Sequence, residues 1–235
     1  MALVLENVCV RFGGVDALAG VSIRIEPGTV VGLIGPNGAG KTTLVNATTG
    51  LVPLAAGRIA LDDVRLDGKR PYQIARSGIA RTYQNIRLFG ALDVRDNMRA
   101  GAIRRDELDS NAVLALLART GMHDVELRAT ASSLAYGDQR RLEIARALAS
   151  APSVLMLDEP AAGMNPSETL ALAGLVRSIA DDGIAVLLIE HDVALVRKVC
   201  DRVTVLNFGT VLAEGTPDEV ARNREVIEAY LGATV

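Results

Sequence analysis

Val30-Val31-Gly32-Leu33-Ile34 runs directly into Gly35-Pro36-Asn37-Gly38-Ala39-Gly40-Lys41-Thr42-Thr43. The opening residues carry no polar side chain, the pattern of a strand covered on both faces. From Gly35 the chain matches G-x-x-x-x-G-K-[ST], the glycine-rich turn that joins such a strand to a helix, here predicted to start near Lys41. A loop of this kind offers backbone N–H groups and the positive end of a helix to phosphate. Lys41 is expected to reach the β and γ phosphates of a bound nucleotide and the Thr42 hydroxyl to ligate Mg²⁺. Gly35, Pro36, Asn37, Gly38, Ala39, Gly40 and Thr43 complete the predicted nucleotide-binding set.

Outward from this unit the chain reads as α/β. Upstream, Leu3 to Phe12 and Val21 to Glu26 alternate loosely between apolar and polar residues, as does Arg58 to Leu61 downstream, so each predicts a short half-buried strand. Val154 to Leu157 and Ile184 to Ile189 are continuous apolar runs, as expected of central parallel strands. From about Ile86 to Ser150 the reading is mostly helical, clearest at Ala112–Leu117 and Leu142–Leu148. Asn165-Pro166-Ser167-Glu168 and Thr216-Pro217-Asp218-Glu219 each predict a helix start, with a capping residue, Pro at the first helical position and Glu two further on.

The strand Val154 to Leu157 delivers Asp158 and Glu159 at its C-terminal end, where open α/β sheets bind ligands. Neighbours on an extended strand point to opposite sides, so the two acids can hold different roles. Asp158 suits the Mg²⁺ shell, through water, and Glu159 suits polarising an attacking water.

Composition narrows the partners. A net charge of −3 over 235 residues gives no basic stripe for nucleic acid. The longest aliphatic run, Ile184 to Ile189, is far below the roughly 18–20 residues that span a bilayer, and Glu6 comes too early for a secretory signal. Cys9 and Cys200 sit among apolar neighbours and read as small core hydrophobes.

With the phosphate loop and the Asp158-Glu159 pair in place, Leu134-Ala135-Tyr136-Gly137-Asp138-Gln139-Arg140-Arg141 resembles the signature sequence of ABC-transporter ATPases, and the resemblance extends over essentially the whole chain. It implies a phosphate-loop core with an N-terminal antiparallel β-subdomain, formed by residues 1–85 and 151–235, and an inserted helical subdomain, residues 86–150, ending in the signature helix. It implies ATP and Mg²⁺, and a second ATPase subunit, either the same chain or a paralogue. Leu134, Ala135, Tyr136, Gly137 and Asp138 of one subunit would then close over ATP held by the other. The same resemblance gives Gln84 a contact to Mg²⁺ and the attacking water, His191 a contact to the γ-phosphate and Phe12 a stacking face for adenine, whereas His123 reads as an ordinary polar residue. It further implies transmembrane permease subunits, an indirect link to a solute-binding protein, no nucleic acid, and a cytoplasmic position on the inner face of the cell membrane.

Ala135 and Asp138 stand where the family signature usually has Ser and Gln, and Ala162-Gly163-Met164-Asn165 replaces the family's Ser and Asp. These departures, with Thr82-Tyr83-Gln84-Asn85-Ile86-Arg87-Leu88-Phe89, resemble the Liv-type ATPases of branched-chain amino-acid importers. The stretch from Met98 to Asn111 looks shorter than in many of them. Urea and amide transporters stay open as alternatives, and so does lipopolysaccharide export, whose ATPase usually keeps Ser and Gly at positions 135 and 136. A soluble ATPase of DNA repair or translation would need a second domain or a coiled-coil insert, and a non-hydrolysing regulator would not need Glu159. Some of Ile86, Leu88 and Phe89, directly after Gln84, are expected to line, with nearby residues of the helical lobe, a partly exposed groove for a permease helix.

Overall fold

Alternating strands and continuously apolar ones build two sheets in the computed structural model, which describes residues 1–104 and 108–231. The N-terminal part comprises β1 (Leu3–Phe12), β2 (Val15–Ile25), β3 (Val30–Ile34), α1 (Lys41–Thr48), β4 (Ala56–Leu61), β5 (Val64–Arg65), α2 (Pro71–Ser77) and β6 (Ile79–Arg81). There follow α3 (Val94–Gly101), α4 (Ser110–Arg119), α5 (Tyr136–Ala149), β7 (Val154–Asp158), α6 (Pro166–Asp181) and β8 (Ala185–Ile189). The chain closes with α7 (Val193–Val199), β9 (Arg202–Asn207), β10 (Thr210–Gly215), α8 (Pro217–Arg222) and α9 (Arg224–Leu231). One sheet is antiparallel in the order β2-β1-β4-β5; the other runs β10-β9-β3-β8-β7-β6 and is parallel except for β10.

β1 shows why its alternation is loose. Leu3, Leu5, Val8 and Val10 are buried, but Glu6 and Asn7 are both exposed. Asn7 takes a left-handed backbone (φ 48°), a bulge at which the pairing with β2 shifts. Past the bulge, Cys9 falls on the outer face. It is only partly buried, its Sγ accepting from the Gly20 N–H, so the expected core position holds for Cys200 alone. In β3, β7 and β8 every residue is buried, because each lies between two strands and under helices. Each Val or Leu so enclosed is worth about 1.5–3 kcal/mol relative to exposure.

The stretch expected to be mostly helical is helical over more than half of its described residues. Among them, helix comprises α3, α4, α5 and a single 3₁₀ turn at Ala131–Ser133, gathered around Val94, Met98, Leu117 and Leu142. Residues 85–92 are irregular, and the fully buried Asn97 amide holds their backbone at Phe89. Its Oδ1 accepts from Phe89 N–H, and its Nδ2 donates to the carbonyls of Phe89 and Asp93, all at 3.0 Å. Of the apparently shortened stretch from Met98 to Asn111, residues 105–107 lie outside those described. Both proline-marked helix starts form capping boxes, Asn165 with Glu168 and Thr216 with Glu219.

Candidate nucleotide site

The strand order puts the ends of β3, β7 and β8 side by side, and the candidate residues leave the sheet there. After β3, Gly35 has φ 149°, and a Cβ on it would lie 2.1 Å from the Leu206 carbonyl oxygen. At Gly40 (φ 106°) a Cβ would lie 2.9 Å from the Ala17 carbonyl oxygen. Only glycine meets both conditions. The loop is further held by the Gly209 N–H, which donates to the Ala39 carbonyl at 3.0 Å. At the start of α1 the amides of Lys41, Thr42 and Thr43 have no partner among the described residues. An open cleft of about 530 Å³ faces them, lined by Val15 to Ala17, Asn37 to Thr43, Gln84, Glu159, Phe208 and Gly209.

Lys41 Nζ donates to the carbonyls of Gly35 (2.6 Å) and Pro36 (3.0 Å). Partial burial lowers its pKa, an effect opposed by the charges of Glu159 and Asp158. A lysine facing two carboxylates is placed to accept the phosphate charge that they would repel.

Asp158 is 6% exposed, and Arg81 Nη2 holds its Oδ2 at 2.7 Å while Arg81 Nη1 reaches Asn46 Oδ1 at 2.7 Å. The next residue lies beyond the strand. Glu159 turns left-handed (φ 45°), its N–H bound to the Ile189 carbonyl at 2.9 Å. Glu159 therefore leaves the strand by a left-handed turn and does not continue its alternation, contrary to the expectation from an extended strand. Glu159 Oε2 accepts from Gln84 Nε2 at 2.9 Å and lies 3.8 Å from His191 Nδ1. Behind them Glu190, 1% exposed, accepts from the N–H groups of Ala161 (3.0 Å) and His191 (3.2 Å). Its burial raises its pKa.

Thr42 and Gln84 thus share one cleft with Glu159, and Asp158 stands behind it; no three His, Cys, Asp or Glu gather as a metal cage among the described residues. A few protein oxygens completed by phosphates and water is the coordination Mg²⁺ prefers, so the donor set fits that ion.

Three candidates stand away from this cleft. His191 reaches it only through Glu159, and its side chain is 68% exposed. Phe12, half exposed, sits at the end of β1, paired with Val15 and not itself on the lining. The signature residues form a separate helix end. Leu134 and Ala135 precede α5, Ala135 gives no side-chain cap, and the amides of Tyr136, Gly137 and Asp138 are unpaired among the described residues. Asp138 faces Arg141 at 3.4 Å.

Sequence reading missed Arg81, Glu190, Arg140 and Phe208. Arg140, buried in α5, donates to the carbonyls of Tyr83 (2.6 Å) and Gln84 (2.7 Å) and so fixes the segment that carries Gln84. Charged residues after short apolar runs flag Arg81 and Glu190 only weakly, and Phe208 is marked by the Asn-x-Gly turn that contains it.

Ile86 and Leu88 are part-buried and Phe89 is 53% exposed. All three line a groove of about 800 Å³ with Leu51, Tyr72 and Ile103. No helix among the described residues is long and apolar enough to cross a membrane.

A phosphate loop facing a paired Gln84 and Glu159, with a second open helix end elsewhere on the surface, defines an ATP-binding cassette of the ATPase type, and the chain belongs to the ABC transporter family, whose model matches residues 18–162. Residues 210–235 match the model described as "Branched-chain amino acid ATP-binding cassette transporter". The high-affinity branched-chain amino acid transport ATP-binding protein LivG of Salmonella typhimurium is 43% identical, over 98% of this chain and 97% of its own. BraF of Pseudomonas aeruginosa, of the same description, is 41% identical over the same shares. The lipopolysaccharide export ATP-binding protein LptB of Escherichia coli is 36% identical, also over 98% and 97%. An ATP-binding cassette of an ABC transporter solved in its ADP conformation superposes with a TM-score of 0.88 at 30% identity, covering 99% of both chains.

Proposed function

We propose that this chain hydrolyses Mg²⁺-bound ATP to drive uptake of branched-chain amino acids through a transmembrane permease. The observation that carries the hydrolytic reading is the 2.9 Å hydrogen bond from Gln84 to Glu159 in the cleft that holds Lys41 and Thr42. In this reading the loop amides and Lys41 bind the β and γ phosphates. Gln84 orients the Glu159 carboxylate, whose second oxygen takes a proton from the water attacking the γ-phosphorus. His191 stands beside the same carboxylate, towards the γ-phosphate. Mg²⁺, when bound, neutralises charge on the phosphate oxygens, with Thr42 and Gln84 as its protein ligands and Asp158 acting through water. Phe12 takes the adenine. Leu134 to Asp138 present their helix end to ATP on a second subunit, a copy of this chain or a paralogue. Residues 86–150 work as the helical subdomain on a core made of 1–85 and 151–235.

The branched-chain substrate is favoured over lipopolysaccharide by the C-terminal match and by the higher identity to LivG and BraF than to LptB. The groove at Phe89 suits an amphipathic permease helix; in this reading the chain works on the cytoplasmic face of the membrane, and a solute-binding protein acts on it only through the permease.

The reading is tested in vesicles holding the permease and this chain, with leucine-loaded binding protein outside and ATP on the side of the cassette. Leucine uptake should need ATP, and Phe89→Asp should abolish uptake while the free subunit still hydrolyses ATP. ATP-driven uptake of urea without leucine would refute the substrate. Normal leucine uptake by Phe89→Asp would refute the docking groove.

A further inference from the structure

We propose that Phe208 is a specificity-determining residue, an aromatic wall that contacts the purine or ribose of the bound nucleotide from the β9–β10 turn. The proposal rests on the reading of the phosphate loop as the ATP site. It starts from an unusual backbone. Asn207 and Thr210 pair across a two-residue turn, and both turn residues are left-handed, Phe208 at φ 45° and Gly209 at φ 76°. Asn or Gly is the usual choice at the first of these positions, because a bulky side chain is strained there.

Packing does not account for the ring. Phe208 is 87% exposed, more than any other large apolar side chain described, and Val15 follows at 69%. Both line the phosphate-loop cleft, alongside Asp16 and Lys41. The turn's backbone is tied in place on both sides of Gly209. The Gly209 N–H donates to the Ala39 carbonyl at 3.0 Å, and the Gly209 carbonyl accepts from the Ala19 N–H at 2.8 Å. The backbone that carries this exposed phenyl ring, itself left-handed at Phe208, is thereby tied to the phosphate loop. A nucleoside triphosphate offers a matching division: its phosphates meet the amides of α1, and its flat apolar base needs an apolar rim beyond them. Phe12, paired with Val15 at the end of β1, would supply the base with a second aromatic neighbour.

The test compares Mg²⁺·ATP with inorganic tripolyphosphate by calorimetry, using Phe208→Asn, which keeps a residue suited to the turn but removes the ring. Base–aromatic contacts are strong enough that ATP affinity should fall about tenfold, while tripolyphosphate affinity stays unchanged. Phe208→Trp should restore ATP affinity. Because the chain has no other tryptophan, its fluorescence should change with ATP and not with tripolyphosphate. ATP affinity of Phe208→Asn within about twofold of wild type, or an equal loss for both ligands, would overturn the proposal. Lys41→Ala separates the two readings. If it loses ATP while Phe208→Asn does not, only this inference fails; if it binds ATP normally, the phosphate-loop reading fails as well.

Discussion

Arg140→Ala removes a fully buried guanidinium from α5 and leaves three acceptors behind. Nη1 donates to the Tyr83 carbonyl at 2.6 Å and to Glu143 Oε2 at 2.7 Å, and Nη2 donates to the Gln84 carbonyl at 2.7 Å. Glu143, 1% exposed, would keep the Arg87 N–H at 3.0 Å and the more distant charge of Arg146. Breaking a buried ion pair from one side costs about 3–5 kcal/mol, a large share of the roughly 5–15 kcal/mol that holds a typical domain together. The two carbonyls lose their donors besides, but Arg140 Nε has no hydrogen-bond partner among the described residues, so the pair itself is imperfect. Urea denaturation should therefore show a large fall in midpoint without a change in slope. Arg140→Ala/Glu143→Ala removes the stranded carboxylate and should be less destabilised than the sum of the single changes, by about 0.5–3 kcal/mol. Under conditions where Arg140→Ala remains folded, hydrolysis should still fall, because Gln84 has lost the anchor of its backbone. A destabilisation below about 1 kcal/mol, with additive single changes, would refute the view that this guanidinium holds the Gln84 segment.

Glu159→Gln should retain ATP binding while hydrolysis falls by about 10²- to 10⁴-fold, the usual worth of a positioned base, as read by phosphate release beside nucleotide calorimetry. Gly35→Ala should cost about 1–3 kcal/mol, since its Cβ has no room beside the Leu206 carbonyl, and should weaken ATP binding in the same assay. Burial pushes the Cys200 thiol up to about 12, whereas Cys9 is only partly buried. A thiol-reactive dye at mildly alkaline pH should thus label Cys9 in the native protein and reach Cys200 only on denaturation. Equal native rates would refute this.

The phosphate loop, the two capping boxes and the strand that ends at Asp158 were legible in the sequence because each answers a local demand. Gly35 and Gly40 satisfy backbone angles, and Asn165 and Thr216 serve N–H groups within a single helical turn. The resemblance of the signature segment added roles that no local rule supplies. Tertiary structure alone decided which distant residues meet. Gln84 finds Glu159, and Arg81 finds Asp158, because β6 pairs with β7, and His191 approaches Glu159 because β8 lies between β3 and β7. The same pairing of neighbours left Cys9 outside the core and Asn97 inside it. It also left Phe208 uncovered, since a turn sequence specifies a bend but not what lies across from it. Strand order arises from burying many apolar faces at once, so the identity of a residue's neighbour across the sheet is written in no single segment of the chain.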